Sequence, residues 1–507
     1  MPVRVFSACM DGLQGMTIQV EVDVSSGLPM FNIVGLADGS VQESKERVRS
    51  AIRNIGAKFP LHRKTVNLAP ADLRKHGPAY DLPIAVALLA AEKEIPCDAF
   101  EKNMFIGELS LTGEIRKVRG ILPIVAHAKK EGFEGIFIPA ENCDEALLIG
   151  GIHIYPYHSL KKLLDDLKEN IHTPTQKISK KYLAHTTKTA TLAHIKGQYE
   201  AKRALEIAAT GHHHLLMSGP PGVGKTLLGR ALADLLPEMT QEEMLEVTAM
   251  YSIKGLLTDE KPIITQRPFR EVHQTISQIG LLGGGNEMNP GEMSLAHHGV
   301  LFFDEMNEFT TRILESLRQP LETRQLSIQR AHGNATFPAN ILLVGTMNPC
   351  PCGHYGTDQC ICSELMIERH RRRISGPLLD RIDLRITLDR VETQTLFSQE
   401  KDEEKENHER AIRIQKAREV QSARYQNESF KVNAHVSPER IHDIISIDQK
   451  IQKMIESHAE RNNISARSCH RILKISRTIA DLEGSETIKE IHCLEAFSFK
   501  IPDNGSK

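Results

Sequence analysis

The chain has 507 residues, of which 40% are hydrophobic and 25% charged, and its 63 basic and 65 acidic side chains give a formal net charge of -2. This balance excludes a histone-like basic protein and an acidic disordered chain, and the length suffices for about three or four globular domains. Trp is absent and aromatic residues make up 5% of the chain, which argues against an aromatic platform on which bases stack.

The sequence shows no targeting or membrane segment. Residues 1–10 lack the basic stretch and apolar core of a secretory signal, and the longest apolar run, residues 82–91, is interrupted by Pro83. That run reaches only half of the ~20 residues that a spanning helix needs. We therefore expect a soluble, cytoplasmic protein without a membrane partner.

Residues 1–172 alternate strand-like and helical patterns, and this alternation predicts a mixed α/β domain. A helical pattern covers residues 41–54, and the strand-like runs occur at 16–24, 65–68 and 135–139. A polar stretch rich in Thr and Lys follows, and we expect a linker over residues 173–194.

A nucleotide-binding loop is the strongest motif of the next region, residues 195–390, whose strand and helix patterns predict a doubly wound α/β domain. The loop follows an apolar strand at 215–217 and precedes a helix at 227–236. Backbone N–H groups of such a loop surround phosphates, its Lys reaches the β- and γ-phosphates of ATP, and its Thr hydroxyl ligates Mg²⁺. The predicted nucleotide-binding residues are Gly219, Pro220, Pro221, Gly222, Val223, Gly224, Lys225 and Thr226.

Two further apolar strands end in polar residues that suit ATP hydrolysis. The strand at 299–303 ends in Asp304, expected to hold magnesium with Thr226, and Glu305, expected to activate the attacking water. The strand at 341–345 leads to Asn348, whose amide could sense the γ-phosphate. The acidic pair therefore indicates hydrolysis rather than simple nucleotide binding.

These motifs, followed by a Leu-Leu-Asp-Arg segment at 378–381, resemble the AAA+ ATPases of the magnesium-chelatase and MCM-helicase branch. The resemblance implies that Arg381 is an arginine finger that reaches the nucleotide of a neighbouring subunit. A surface arginine paired with Asp380 or Asp383 is the alternative. A finger that acts on a neighbour implies a ring, and in this branch the ring is a homo-hexamer.

The segment at 465–473 resembles the second sensor of that branch, which lies on a C-terminal helical lid domain, here residues 391–507. Arg467 best matches the sensor arginine, and Arg471, one turn further on, is the alternative. Amphipathic spacing over 441–455 and 465–482 is consistent with helices in this region.

Three longer segments, at 72–83, 294–305 and 472–484, are similar to the ComM/YifB family of magnesium-chelatase-like proteins. This resemblance implies a hexameric, ATP-driven helicase that uses Mg²⁺ and promotes branch migration of single-stranded or branched DNA during natural transformation and homologous recombination. The alternative is a magnesium-chelatase-type or MoxR-like ATPase that remodels a protein partner or inserts a metal.

The N-terminal region resembles the proteolytic domain of the Lon family, which has a ribosomal S5 domain 2-like α/β fold. The catalytic segment of that family reads Lys-Asp-Gly-Pro-Ser-Ala, whereas residues 75–80 here place Ala79 at the nucleophilic serine. Alanine has no hydroxyl to attack an amide, so Ser–Lys proteolysis is not expected. A structural or binding role is the remaining interpretation.

Two histidine-bearing segments give weaker signals. At 267–274 the ComM/YifB pattern usually ends Pro-His-His, but here only His273 remains, followed by Gln274. The run of histidines at 212–214, just before the nucleotide-binding strand, is read as strand-edge sequence rather than as a set of metal ligands.

Four cysteines form a candidate zinc site. They are arranged as two C-x-C pairs separated by seven residues, with His354 as a possible substitute ligand: Cys350, Cys352, Cys360 and Cys362. Four thiolates at this spacing can enclose Zn²⁺ tetrahedrally in a structural role. Unligated thiols are the alternative.

Candidate DNA contacts lie in two places. Residues 324–337 predict a β-hairpin with Arg330 and His332 near its tip. The basic run at 369–373 contains Arg371 and Arg372, which either contact DNA phosphates or serve the subunit interface.

Overall fold

The computed structural model describes residues 2–96, 100–175, 191–285, 288–330, 333–391, 403–462 and 465–499. Most of the predicted linker, residues 176–190, lies outside the described residues. Among the helices of the described ranges, none has both the length and the apolar character needed to cross a membrane.

The N-terminal part of the chain is built on a mixed seven-stranded sheet with the order β3-β4-β2-β1-β5-β8-β9. Strands β1 and β2 form an antiparallel hairpin, and β5, β8 and β9 add to it in parallel. The strands are β1 Val3–Asp11, β2 Gln14–Ser25, β3 Phe31–Val34, β4 Arg63–Ala69, β5 Asn103–Phe105, β8 Gly135–Pro139 and β9 His153–Tyr157, with the short pair β6 Glu108–Leu109 and β7 Ile115–Arg116 beside them. The strand-like runs predicted at 16–24, 65–68 and 135–139 are therefore confirmed.

Helices cover this sheet. The almost entirely buried α2 fills its core, because nine consecutive apolar residues, from Leu82 to Ala90, are buried between the sheet and neighbouring helices. The helices are α1 Gly39–Asn54, α2 Asp81–Ala91, α3 Ile121–Lys130, α4 Cys143–Ala146 and α5 Leu160–Glu169. The apolar run at 82–91 is thus a core helix.

The second sheet is five-stranded and parallel, with the order β11-β14-β17-β10-β18. Its three central strands are buried throughout, as expected for a parallel sheet covered on both faces. The strands are β10 Leu215–Ser218, β11 Phe269–Val272, β14 Val300–Phe303, β17 Leu342–Met347 and β18 Leu384–Thr387. Because all five strands run the same way, the residues that follow them meet at one edge.

Helices cover both sides of this sheet, and α6 and α7 come directly before and after the nucleotide-binding strand β10 in the chain. Helix α7 lies so close to β14 that a Cβ atom on Gly229 would approach the Phe302 ring to 2.3 Å. The helices are α6 Tyr199–Gly211, α7 Lys225–Leu235, α8 Gln241–Lys254, α9 Gln278–Leu282, α10 Glu292–Leu295, α11 Thr311–Ser316, α12 Arg318–Thr323, α13 Glu364–Arg371 and α14 Gly376–Leu379.

Two small antiparallel pairs project from this region. Strands β12 Gly283–Gly284 and β13 Asn289–Pro290 form the first pair. Strands β15 Gln325–Arg330 and β16 Gly333–Pro338 form the second, in register from Gln325 opposite Pro338 to Arg330 opposite Gly333. The predicted hairpin is therefore present.

The C-terminal part is helical. Helix α18 packs on α6 and α19, and its apolar residues join the core of the five-stranded sheet. The stretch predicted as amphipathic over 441–455 is divided between two helices rather than one. The helices are α15 Glu403–Arg424, α16 Ile441–Ile444, α17 Gln449–Arg461, α18 Ala466–Leu482 and α19 Glu490–Ser498.

Candidate active site

The phosphate-loop motif lies between β10 and α7. Gly224 caps the helix in the left-handed region at φ +87°, which favours glycine. The Lys225 ammonium donates to the carbonyl of Gly219 at 2.5 Å and to Oδ1 of Asn348 at 2.7 Å. Burial lowers the pKa of Lys225, and the nearby carboxylates of Asp304 and Glu305 oppose that shift.

The predicted magnesium ligands are brought together where α7 begins and β14 ends. The Thr226 hydroxyl donates to Oδ2 of Asp304 at 3.2 Å. Thr346, at the end of β17, donates to the other carboxylate oxygen at 2.6 Å and accepts the backbone N–H of Glu305 at 2.9 Å. Hydroxyl and carboxylate oxygens are the donors that Mg²⁺ prefers, so the residues fit this ion.

The Glu305 carboxylate is held between two amides. Asn348 donates to its Oε1 at 3.3 Å and Gln274 donates to its Oε2 at 3.1 Å. Glu305 itself adopts the left-handed region at φ +49°, a conformation that is costly for a residue with a Cβ atom. A carboxylate aimed in this way can accept a proton from water.

The contact of Gln274 with Glu305 was not predicted from the sequence. In the segment at 267–274, which differs from the ComM/YifB pattern, only the neighbouring His273 was considered. The side chain of His273 instead contacts Thr275 at 2.8 Å. The signal for Gln274 was available only through strand order, because β11 pairs with β14 and both strands end at the same edge.

Arg381 and Arg467, here called the arginine pair, contact a different carboxylate. Arg381 donates from Nη2 to Oε1 of Glu322 at 2.8 Å, and Arg467 donates from Nη2 to the same oxygen. Arg381 is 11% exposed, Arg467 50% and Glu322 44%. The sequence alternative for Arg381 named Asp380 or Asp383 as its partner, and both were wrong: the carboxylate comes from α12, a segment distant in sequence.

Arg471, the alternative sensor residue, is buried and internally bonded. It donates to the carbonyl of Ile382 at 2.8 Å and to the Ser468 hydroxyl at 3.0 Å. These bonds brace α18 against the segment that carries Arg381. Arg467 is therefore the more accessible of the two candidates.

The arginine pair borders a cavity of about 630 Å³ between α12, the hairpin base and the C-terminal helices. The cavity walls also carry Arg324, whose pKa is lowered by burial, and Lys474, whose pKa is lowered for the same reason. The ionised side chains around it are mostly cationic, so this face of the molecule favours anions.

The four cysteines form one compact group. Sγ of Cys350 lies 3.4 Å from that of Cys352 and 3.8 Å from that of Cys360, and all four sulfur atoms lie within 4.8 Å of one another. With Zn–S bonds of about 2.3 Å, a tetrahedral site places sulfur atoms about 3.8 Å apart. Backbone N–H groups of His354 and Ile361 lower the pKa of Cys352 to about 6. The spacing of the four sulfur atoms fits Zn²⁺.

The cysteine loop, residues 350–362, sits directly on the phosphate loop. A Cβ atom on Gly353 would lie 2.7 Å from Cδ of Pro221. Helix α13, which follows the cysteine loop, is anchored to the same site, because the buried His370 contacts the carbonyl of Asn348 at 3.2 Å. Sequence spacing placed the cysteines near Asn348 but did not reveal the contact with Pro221.

The candidate DNA residues are only partly described. The backbone of Arg330 ends β15, but its side chain and the whole of His332 lie outside the described residues. The Arg371 guanidinium stacks on the Tyr355 ring at 4.6 Å, and Arg372 pairs with Glu368 on its own helix at 2.5 Å. These contacts leave both earlier interpretations, DNA and subunit interface, open.

The histidine run at 212–214 takes part in internal hydrogen bonds. His213 lies between Asp383 at 3.2 Å and Thr478 at 2.8 Å, and Nδ1 of His214 accepts the N–H of Leu343 at 3.1 Å. These contacts agree with the interpretation of the run as strand-edge sequence.

A second group, Glu246, His297 and His298, has metal-like spacing. Nδ1 of His297 accepts the N–H of Asn340 at 3.0 Å, so the neutral ring carries its proton on Nε2 and donates it to Glu246. A metal-bound histidine has the opposite arrangement, with its free nitrogen donating a proton. This group is therefore better described as a hydrogen-bonded network.

In the N-terminal part, the segment that resembles the Lon catalytic motif has a buried residue at each end, Lys75 and Tyr80. Lys75 is buried, donates to the carbonyl of Pro70, and has a pKa lowered by burial. Ala79 accepts the N–H of Gly107 through its backbone carbonyl at 3.0 Å. The lysine thus has a structural partner, and the adjacent alanine offers no nucleophile.

Three family models match consecutive parts of the chain. Magnesium chelatase, subunit ChlI, matches residues 191–396; subunit ChlI of Mg-chelatase matches 20–142; and magnesium chelatase, subunit ChlI C-terminal, matches 404–500.

Three curated proteins show the range of similarity. The competence protein ComM of Haemophilus influenzae is 39% identical over 501 residues, or 98% of this chain and 97% of ComM. The uncharacterized protein YifB of Escherichia coli is 38% identical over 97% of this chain and 96% of YifB. Lon protease 2 of Bacillus subtilis is 27% identical over 31% of each chain.

Proposed function

Because the chain belongs to the ComM/YifB family of magnesium-chelatase-like AAA+ ATPases, we propose that it is an ATP-hydrolysing DNA motor. It works as a homo-hexamer in the cytoplasm and promotes branch migration of single-stranded or branched DNA in natural transformation and homologous recombination. The relative named competence protein ComM supports the link with DNA uptake.

One observation carries the ATPase part of this proposal. Lys225, Thr226, Asp304, Glu305 and Asn348 converge at one edge of the parallel sheet through hydrogen bonds of 2.7–3.3 Å. Lys225 and the phosphate-loop N–H groups bind and orient the phosphates, Asn348 holds both Lys225 and Glu305, and Glu305 takes the proton of the attacking water. Thr226 and Asp304 would hold magnesium, which when bound would supply positive charge beside the phosphates.

The position of the arginine pair supports a subunit ring. Arg381 and Arg467 bond to Glu322 rather than to the phosphate loop of their own chain. Both therefore face the same way, and in a ring they reach the nucleotide of the neighbouring subunit, where an arginine finger stabilises charge in the transition state. Each ATP site is then complete only between two subunits.

The chain divides into an N-terminal Lon-like domain without a nucleophile at 1–172, a linker at 173–194, an AAA+ domain with the cysteine cluster at 195–390, and a helical lid domain at 391–507. Structural Zn²⁺ is held by Cys350, Cys352, Cys360 and Cys362, since their sulfur spacing fits a tetrahedral ion. The proposed DNA contacts are Arg330 and His332 of the hairpin, together with Arg371 and Arg372.

The deciding experiment measures ATP hydrolysis with and without single-stranded or branched DNA, together with movement of a synthetic branch point. Lys225→Ala is the control, because it removes the group that holds the phosphates. DNA-stimulated hydrolysis with branch movement supports the motor. Hydrolysis that DNA does not stimulate, with a stationary branch, contradicts it and favours a magnesium-chelatase-type or MoxR-like ATPase.

Zinc is tested separately by elemental analysis of the purified protein. We expect about one Zn²⁺ per chain, since one tetrahedral ion uses all four thiolates, and loss of the metal in Cys350→Ser. Cys143→Ser, which changes a cysteine of the N-terminal part, is the matched control and keeps the metal.

A further inference from the structure

Both members of the arginine pair contact the same carboxylate oxygen, which belongs to a residue outside the sequence motifs described above. Arg381 and Arg467 come from segments 86 residues apart, yet both donate to Oε1 of Glu322. Two guanidinium groups repel each other unless an anion lies between them. The carboxylate of Glu322 is that anion, and both arginines hold its pKa below the usual range although burial acts in the opposite direction.

The contacts of Arg381 within the described residues do not satisfy its Nε–H group. Its Nη1 donates to the carbonyl of Pro377 at 2.5 Å, while its Nε is buried and has no hydrogen-bond partner in the described part of the chain. Arg467 is half exposed. A phosphate group offers bidentate acceptors to both guanidinium groups, which makes it a stronger partner than one carboxylate oxygen.

Glu322 also lies next to the candidate DNA hairpin. It is in the last turn of α12, two residues before Arg324, whose carbonyl accepts the N–H of Ala339 at 2.8 Å and closes the base of β15 and β16. Strand β17 follows that base directly and leads to Asn348 in the chain's own ATP site. Because only one residue separates Glu322 from Arg324, a displacement of Glu322 moves the backbone at the base of the hairpin.

We infer that Glu322 is a competing anion that holds the arginine pair until the nucleotide of the neighbouring subunit takes its place, and that it connects that pair to the hairpin base. The inference rests on the proposed trans-acting Arg381. When the γ-phosphate of the neighbour takes over both arginines, Glu322 is released and the hairpin base gains freedom to move. Binding of ATP by one subunit thereby changes the mobility of the DNA-facing hairpin in the adjacent subunit.

The test uses rings mixed from two inactive chains. Arg381→Ala has an intact phosphate loop but no finger, and Lys225→Ala supplies the finger but does not hydrolyse ATP. In a mixed ring, hydrolysis is restored at each interface where the phosphate loop of an Arg381→Ala chain meets the finger of a Lys225→Ala chain. Glu322→Gln is then added to one chain at a time; it keeps the shape of the side chain and removes its charge at a half-exposed position.

On the finger-supplying Lys225→Ala chain, Glu322→Gln is expected to lower KM for ATP about two- to fivefold, the range of one to two exposed ion pairs, with little change in kcat. On the Arg381→Ala chain the same substitution leaves KM unchanged. Glu428→Gln, which alters a carboxylate paired with Arg440 at 2.7 Å in the helical region, is the matched control and has no effect on either chain.

DNA is expected to change the ATP affinity of the wild-type protein, and this change should shrink in Glu322→Gln, because linkage couples the two binding equilibria. An unchanged KM on the finger-supplying chain, or an equal change on both chains, overturns the role of Glu322 while leaving the motor intact. Failure of the two inactive chains to restore hydrolysis rejects the trans-acting finger and, with it, this inference.

Discussion

The contact between the cysteine loop and the phosphate loop predicts that a single methyl group at Gly353 weakens ATP binding. Gly353 adopts φ +79°, and an added Cβ atom would lie 2.7 Å from Cδ of Pro221, whereas relaxed carbon contacts lie near ~3.5–4.0 Å. Overpacking of this kind costs about 1–3 kcal/mol. If the phosphate loop moves to relieve it, Gly353→Ala reduces ATP affinity about tenfold, since 1.4 kcal/mol corresponds to that factor.

A matched control lies three residues further along the same loop. Gly356 has φ +84°, but an added Cβ atom there meets no atom within 4 Å. Gly356→Ala therefore introduces the same left-handed strain without the contact with Pro221. Binding of a fluorescent ATP analogue, measured with the thermal midpoint of each variant, separates the two effects. Equal ATP affinities for Gly353→Ala and Gly356→Ala would refute the reasoning.

Three further predictions follow from single contacts. Gln274→Ala removes a hydrogen bond to Glu305 and is expected to lower kcat for ATP about tenfold, the value of one bond to a charged group, with KM unchanged in steady-state kinetics. Gly229→Ala places a Cβ atom 2.3 Å from the Phe302 ring, so denaturant unfolding should show a stability loss of about 1–3 kcal/mol. Burial raises the pKa of Glu145 to about 7, so the folded protein binds this proton more tightly than the unfolded chain, and stability falls as pH rises from 4.5 through 7. Thermal midpoints of Glu145→Gln should decline less over that interval, and parallel curves would contradict the assignment.

Contiguous motifs predicted much of the ATP site. The phosphate loop, Asp304, Glu305 and Asn348 could be placed because each follows an apolar strand, and parallel strands bring such residues to one edge. The hairpin, predicted over 324–337 and found at 325–338, could be placed for a similar reason, since its two strands are neighbours in sequence. The spacing of the four cysteines also indicated their grouping, because a short loop leaves the thiols little choice of partner.

Contacts between distant segments were beyond this reasoning. Gln274 reaches Glu305 because β11 lies beside β14, and strand order is not written in either segment. Glu322 was not considered as a partner of Arg381, and the adjacent aspartates that were considered proved wrong. One predicted helical stretch at 441–455 is interrupted by residues 445–448, because amphipathic spacing alone does not show where a helix ends.

The sequence by itself determined the chemistry available to this protein: which residues can bind phosphates, which acids can direct water, and which thiols can hold a metal. Those properties depend on residue type and short spacing, which local backbone geometry preserves. Only the tertiary structure decided how the parts are connected. Glu322 joins the arginine pair to the hairpin, and Gly353 rests on Pro221, because packing and charge pairing select partners by position in space rather than by position in the chain.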